Sequence, residues 1–197
     1  EGEKWKAQRK TMAHSFGHGY ISKLADPIAE YSHSYLQGLT GLVNIDQHFS
    51  TMTLELVMRL LFGNTVGDDN EELAESFQTI SLYFSKIMSN LPVPLWVPIP
   101  RNVRYNKAMK NIEVVVNRII AERQNTETHH DDILSRIMGV SDSNTIDKSL
   151  IQDEVRTLLL AGHETTALAL TFSVWFLSEN LETQDQLASD IQEITQG

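Results

Sequence analysis

At 197 residues the chain is long enough for one sizeable domain with a real core, and 41% hydrophobic content with ten glycines and five prolines describes a folded chain rather than a disordered one. A formal net charge of −10 lacks the basic footprint of non-specific nucleic-acid binding, so no nucleic-acid partner is expected. The absence of cysteine excludes a disulfide framework, a cysteine-type zinc site and a thiol nucleophile on this chain.

The apolar pattern is helical almost throughout, with no internal repeat and nearly no strand-like alternation. A first helix is read over 3–16, closing near Gly17-His18-Gly19. Ser22–Leu42 is read as a second, with apolar positions at Leu24, Ile28, Tyr31, Tyr35, Leu39 and Leu42. Asp46 caps a third that runs to Phe62 and stops at Gly63. Its apolar run Leu54–Phe62 is broken by Glu55 and Arg59, so no membrane span is read there. Asn70 caps a fourth helix to about Asn90.

The segment 91–100 holds four prolines and stays apolar. It is read as a non-helical loop that lies on the protein or dips toward a membrane surface. Helices follow over Asn102–Gln124, from Asp131 or Asp132, from Asp147 to about Glu179, and over Glu182–Thr195. The fold class is therefore mainly α, about eight helices with one long central helix, in a single unit over 1–197. The chain opens on Glu1 in a helical pattern with no signal peptide before it, and stops at Gly197 after an amphipathic run; both ends read as cut. Compartment is left open: cytoplasmic, or membrane-anchored if a span precedes the chain.

The long helix carries Ala161-Gly162-His163-Glu164-Thr165-Thr166. At about 100° per residue, Leu158, Ala161, Gly162 and Ala169 all fall within about 60° of Thr165. Glu164 flanks this small-residue face and His163 lies opposite. Thr165 is placed to bond back to the Ala161 carbonyl, and Gly162 weakens the helix locally, so a kink or π-type bulge is expected. Two readings stand on spacing alone: a polar pocket for dioxygen and a water beside a carboxylate, or a notch in which another helix packs. A zinc-protease reading of His163-Glu164 fails, because the second histidine ligand belongs at position 167, which is Ala.

Ala161-Gly162-His163-Glu164-Thr165-Thr166 resembles the A-G-x-D/E-T-T/S signature of the cytochrome P-450 family. The resemblance implies that the chain is a partial cytochrome P-450 fold, with this helix lying over haem b and most β-structure absent. It implies that Glu164 and Thr165 are the catalytic acid–alcohol pair, delivering protons as dioxygen is split. Ala161, Gly162 and Thr165 would then contact the haem, with Leu158 and Ala169 beside the substrate. Trp5 and Arg9, four apart on one helix face, resemble the family's W-x-x-x-R helix, whose indole and guanidinium bind the haem propionates. In the family that surface also faces the redox partner, so Lys6 and Lys10 are docking candidates beside the alternative of a solvated face. The loop 91–100 falls where the family joins the helices over the substrate channel, making Leu95, Trp96 and Ile99 entrance candidates; simple surface packing stands beside that reading.

The family holds its iron through a cysteine in an F-x-x-G-x-x-x-C-x-G loop after an E-x-x-R helix, and this chain has neither. The simplest expectation is a chain that stops before them. The histidines offer no convincing substitute: His129 and His130 lie in a polar break, and His14, His18, His33 and His48 read as surface or packing residues. The resemblance thus implies part of a haem-thiolate monooxygenase, inactive by itself, whose parent takes electrons ultimately from NAD(P)H through a reductase or ferredoxin and inserts one atom of dioxygen into an apolar small molecule. The alternative is a non-catalytic helical protein that binds partners through exposed faces.

Overall fold

Helices follow the apolar repeat, and glycine stands at several of their ends, Gly17, Gly38 and Gly63. The computed structural model describes residues 2–3, 5–6, 9, 12–13, 16–63, 70–89, 93–125, 132–141 and 148–196. Residues 3, 5, 6, 9, 12 and 13 are helical. Then come α1 (His18–Ile21), a 3-10 turn (Ser22–Leu24), α2 (Ala25–Gln37), α3 (Ile45–Phe62), α4 (Asn70–Ser89), α5 (Pro100–Gln124), α6 (Ile133–Ser141), α7 (Lys148–Glu179) and α8 (Leu181–Gln196). No strand occurs among the described residues.

Several boundaries differ from the sequence expectations. Phe16 and Gly17 are non-helical, and helix resumes at His18. The second helix is not continuous over 22–42. It starts as α1 and the 3-10 turn and ends at Gln37, since Gly38 and Gly41 (φ 75) make continuation unfavourable. Leu39 and Leu42 therefore lie outside it, and Leu42 is fully exposed. Asn44, not Asp46, caps α3: its side-chain oxygen accepts from the Gln47 N–H at 3.4 Å, and Asp46 sits in the first turn. Gly63 ends α3 as expected, at φ 58 with its N–H on the Arg59 carbonyl at 3.1 Å. Pro100 opens α5 instead of preceding it, a position where its missing N–H costs nothing. Asp132 caps α6 by accepting from the Ser135 N–H at 2.8 Å. The expected cap Asp147 lies outside the described residues.

The core gathers around α3, which packs against α2, α4, α6 and α7, while α4 and α5 pack together. Leu54, Met58 and Phe62 of α3 meet Phe77 of α4, Val116 of α5 and Leu159 of α7 in one cluster. Met12 and Phe16 tie the N-terminal segment to it. A smaller cluster of Phe49, Met52 and Ala167 continues the α3–α7 contact. This arrangement holds one side of α7 rigidly and leaves the other uncovered.

Candidate functional site on the long helix

The two sides of α7 differ sharply. Ile151, Val155, Leu159, His163 and Ala167 recur every fourth residue and are buried. Ala161, Thr165, Leu168, Ala169 and Phe172 line the exposed side, and Glu164 is half-buried between them. Beyond this stretch Trp175 and Phe176 are exposed, as is every α8 residue over 181–195. No helix among the described residues is long and apolar enough to cross a membrane, and no cluster of potential metal ligands occurs among them.

Side-chain hydroxyls converge on the middle of this helix. The Thr165 hydroxyl donates to the Ala161 carbonyl at 2.7 Å, as its spacing predicted. Thr166 donates to the Gly162 carbonyl at 3.0 Å. The next carbonyl, of His163, lies 3.0 Å from the Thr53 hydroxyl of α3. Three successive carbonyls thus meet a hydroxyl at the level of Glu164 and Thr165. Even so, α7 is α-helical from end to end, and the expected π-type bulge is absent. A carbonyl has two lone pairs, so it can take a hydroxyl while keeping its helical amide.

His163 turns away from the exposed side, as the helical projection requires. It is 1% exposed, and its ring lies 4.4 Å from the Phe77 ring, centroid to centroid. Nδ1 is 2.6 Å from the Leu159 carbonyl, a partner that requires the proton on that nitrogen. Burial lowers its pKa, outweighing the Leu159 carbonyl and Glu164, which act in the other direction. Gly162 is half-buried against α3, where a Cβ would stand 3.1 Å from Val57 Cγ2. The packing notch inferred from the small residues is therefore present at Gly162, while Ala161, Thr165 and Ala169 face outward.

The other sequence-derived residues form separate groups. Trp5 and Arg9 are both exposed, with the guanidinium carbon 5.3 Å from the indole centroid. Lys6 is paired with Glu3 at 2.9 Å, and Lys10 lies outside the described residues. Leu158 is half-buried against the main core. In the loop before α5, Leu95 and Trp96 are exposed and Ile99 is half-buried. The fully buried Asn102 anchors that loop, donating to the Pro94 and Val97 carbonyls at 2.8 and 2.9 Å. Sequence reasoning missed Thr53, Val57 and Phe77, which fix the motif from behind. A lone threonine among Met52, Leu54 and other buried positions of α3 was the available signal.

The profile of the cytochrome P450 family matches residues 1–197, and the chain belongs to that family. It is 30% identical over 173 residues to "Putative cytochrome P450 135A1" of Mycobacterium tuberculosis, covering 86% of this chain and 38% of that protein. It is 27% identical over 207 residues to cyclooctat-9-en-7-ol 5-monooxygenase of Streptomyces melanosporofaciens, covering 100% of this chain and 44% of that one. Retinoic acid-bound cyanobacterial CYP120A1 superposes with a TM-score of 0.80 at 21% identity, over 98% of this chain and 44% of that chain. The fold is thus part of the cytochrome P450 fold, and the chain spans under half the length of these relatives.

Proposed function

We propose that residues 1–197 are the central helical part of a haem-thiolate monooxygenase domain, with Glu164 and Thr165 delivering protons during dioxygen activation. One observation carries this reading: Thr165 stands on an exposed, small-residue face of α7 while the same turn of helix is locked into the core by His163. The names of relatives support the reaction class, since they include a monooxygenase of Streptomyces melanosporofaciens and a cytokinin hydroxylase of Arabidopsis thaliana.

The residues present fit a haem. Ala161, Thr165 and Ala169 give a flat apolar ring close access to the backbone of α7, with Gly162 at its edge. Trp5 and Arg9 offer a neutral and a charged donor side by side, suited to propionate carboxylates. Bound haem supplies the redox iron; its thiolate ligand is not on this chain, which has no cysteine. The overall balance is a substrate C–H, dioxygen, two electrons and two protons giving an alcohol and water. The electrons come from NAD(P)H through a reductase or ferredoxin.

The protein's own part is proton handling. Thr165 Oγ1 donates to the Ala161 carbonyl, so its lone pairs remain available on the exposed face. Rotation about its side chain redirects the hydroxyl proton into that face. Glu164, half-buried one residue earlier, connects the face with solvent and reloads the hydroxyl. Leu158, Leu95, Trp96 and Ile99 are assigned to the walls and entrance of the space taken by an apolar substrate.

The test uses the haem-loaded whole protein. Thr165→Ala should retain haem yet divert reducing equivalents to peroxide or water, and Glu164→Gln should slow turnover by ~10²-fold. Unchanged coupling of NAD(P)H use to product in Thr165→Ala refutes the reading.

A further inference from the structure

Among the described residues Thr165 is exposed and Glu164 half-buried, and the helix that packs most closely on α7 is α3, on the other side. What seats the acid–alcohol pair comes from behind, at the α3–α7 crossing, and Thr53 is a buried polar element of that crossing. Its side chain is 3% exposed. Its hydroxyl lies 3.0 Å from the His163 carbonyl, 2.8 Å from the Phe49 carbonyl and 3.2 Å from the Ser50 carbonyl. One hydroxyl proton cannot serve three carbonyls at full strength. The two acceptors on α3 are the ordinary back-bonds of a helical threonine. The third ties α3 to α7 at the residue immediately before Glu164.

We propose that Thr53 is a positioning residue for Glu164 and Thr165, acting through the His163 carbonyl. Three neighbouring features make that point the sensitive one. The carbonyls of Ala161 and Gly162 each carry a second donor, the hydroxyls of Thr165 and Thr166, so two successive acceptors of the helix ladder are shared. Gly162 adds no side chain to stiffen it, and its contact with Val57 sets the closeness of the two helices but not their register along the axis. The directional bond from Thr53 supplies that register, because a hydrogen bond weakens steeply with misalignment while a methyl contact does not. The Thr171 hydroxyl, 3.3 Å from Asp46 Oδ1, makes a second polar tie between the same helices but on an exposed edge two turns away.

The inference rests on the proposed roles of Glu164 and Thr165, and its test separates the two. In the haem-loaded whole protein, Thr53→Val removes the hydroxyl at nearly constant volume, and Thr53→Ser keeps it. Backbone amide exchange over residues 164–168 is measured beside the fraction of NAD(P)H electrons recovered as peroxide. Thr53→Val should speed that exchange by about fivefold, the factor that one typical net hydrogen bond represents, and should raise the peroxide fraction. Thr53→Ser should restore both. Where the valine variant fails to take up haem, Thr53→Cys, with a weak donor of similar size, carries the same comparison. Exchange and coupling unchanged in the variant lacking the hydroxyl overturn the proposal. So does a serine variant as impaired as valine, which would assign the effect to packing. If instead Thr165→Ala stays fully coupled, the catalytic reading falls, while the exchange measurement still reports whether Thr53 holds α7.

Discussion

Gly162 faces Val57 so closely that a Cβ on the glycine would stand 3.1 Å from Val57 Cγ2. Two effects oppose each other in Gly162→Ala. Alanine gains ~1 kcal/mol of helix propensity in the middle of α7. The added methyl, however, meets a β-branched side chain with little rotamer freedom in a helix, and overpacking of this kind costs ~1–3 kcal/mol. The expected result is a net loss of about 1 kcal/mol in denaturant unfolding of the whole protein. Adding Val57→Ala should recover part of that loss, a non-additivity that marks direct contact. A Gly162→Ala protein more stable than its parent would show that α3 and α7 separate easily.

His163 is held neutral by burial, and this has a consequence for stability. In the unfolded chain the imidazole binds a proton at its ordinary value of 6.5; in the fold that value is lowered. As pH falls below 6.5, the unfolded state therefore takes up a proton that the folded state refuses. Stability should drop by up to ~1.4 kcal/mol per pH unit until the folded value is reached. In His163→Phe the ring contact with Phe77 remains and the proton site is gone, so this part of the pH dependence should vanish. Comparing unfolding midpoints at neutral and mildly acid pH checks it; parallel curves for the two proteins would remove His163 as the source.

What could be read in the sequence follows from which interactions are local. The long helix, its apolar face and the outward position of Thr165 opposite His163 all follow from periodicity, because a straight helix fixes angular position. Gly63 was legible as a stop for the same local reason. The end of α2 was misread because Leu39 and Leu42 fit the apolar repeat, whereas Gly38 and Gly41 carried the stronger signal. The seating of α7 on α3 is not legible in the sequence at all. It involves Thr53 and Val57, and the Thr53–His163 contact joins residues 110 apart in sequence. Periodicity marks the last helix as amphipathic, and in α8 residues 181–195 are exposed, since pattern reveals a face without naming what covers it.

Arg123 and Asp132 join the ends of three helices. The guanidinium donates to Asp132 Oδ1 through Nη1 at 2.7 Å and stands as an ion pair with Oδ2 through Nη2, also at 2.7 Å, while Nη2 donates to the Phe62 carbonyl at the end of α3 at 2.7 Å. Ser135 completes the group: its N–H donates to Asp132 Oδ1, and its hydroxyl oxygen accepts from Arg123 Nη1. Gly63 makes room for it: a Cβ there would stand 2.6 Å from Asp132 Oδ2. Burial works to raise the Asp132 pKa, but the bonds from Arg123 and Ser135 prevail and hold it below the usual value of 3.8. The sign is that of a stabilising carboxylate. Its contribution is complete above 3.8 and is lost as pH falls through the lowered folded value. Asp132→Asn should cost ~3–5 kcal/mol near neutral pH, because it leaves the mostly buried guanidinium without its counter-charge. The deficit should shrink toward acid pH, where the native carboxylate also becomes neutral. Unfolding measured from neutral pH down to about pH 3 checks both the size and the convergence. No deficit at neutral pH would mean that the aspartate acts only as the cap of α6, a role that asparagine fills equally.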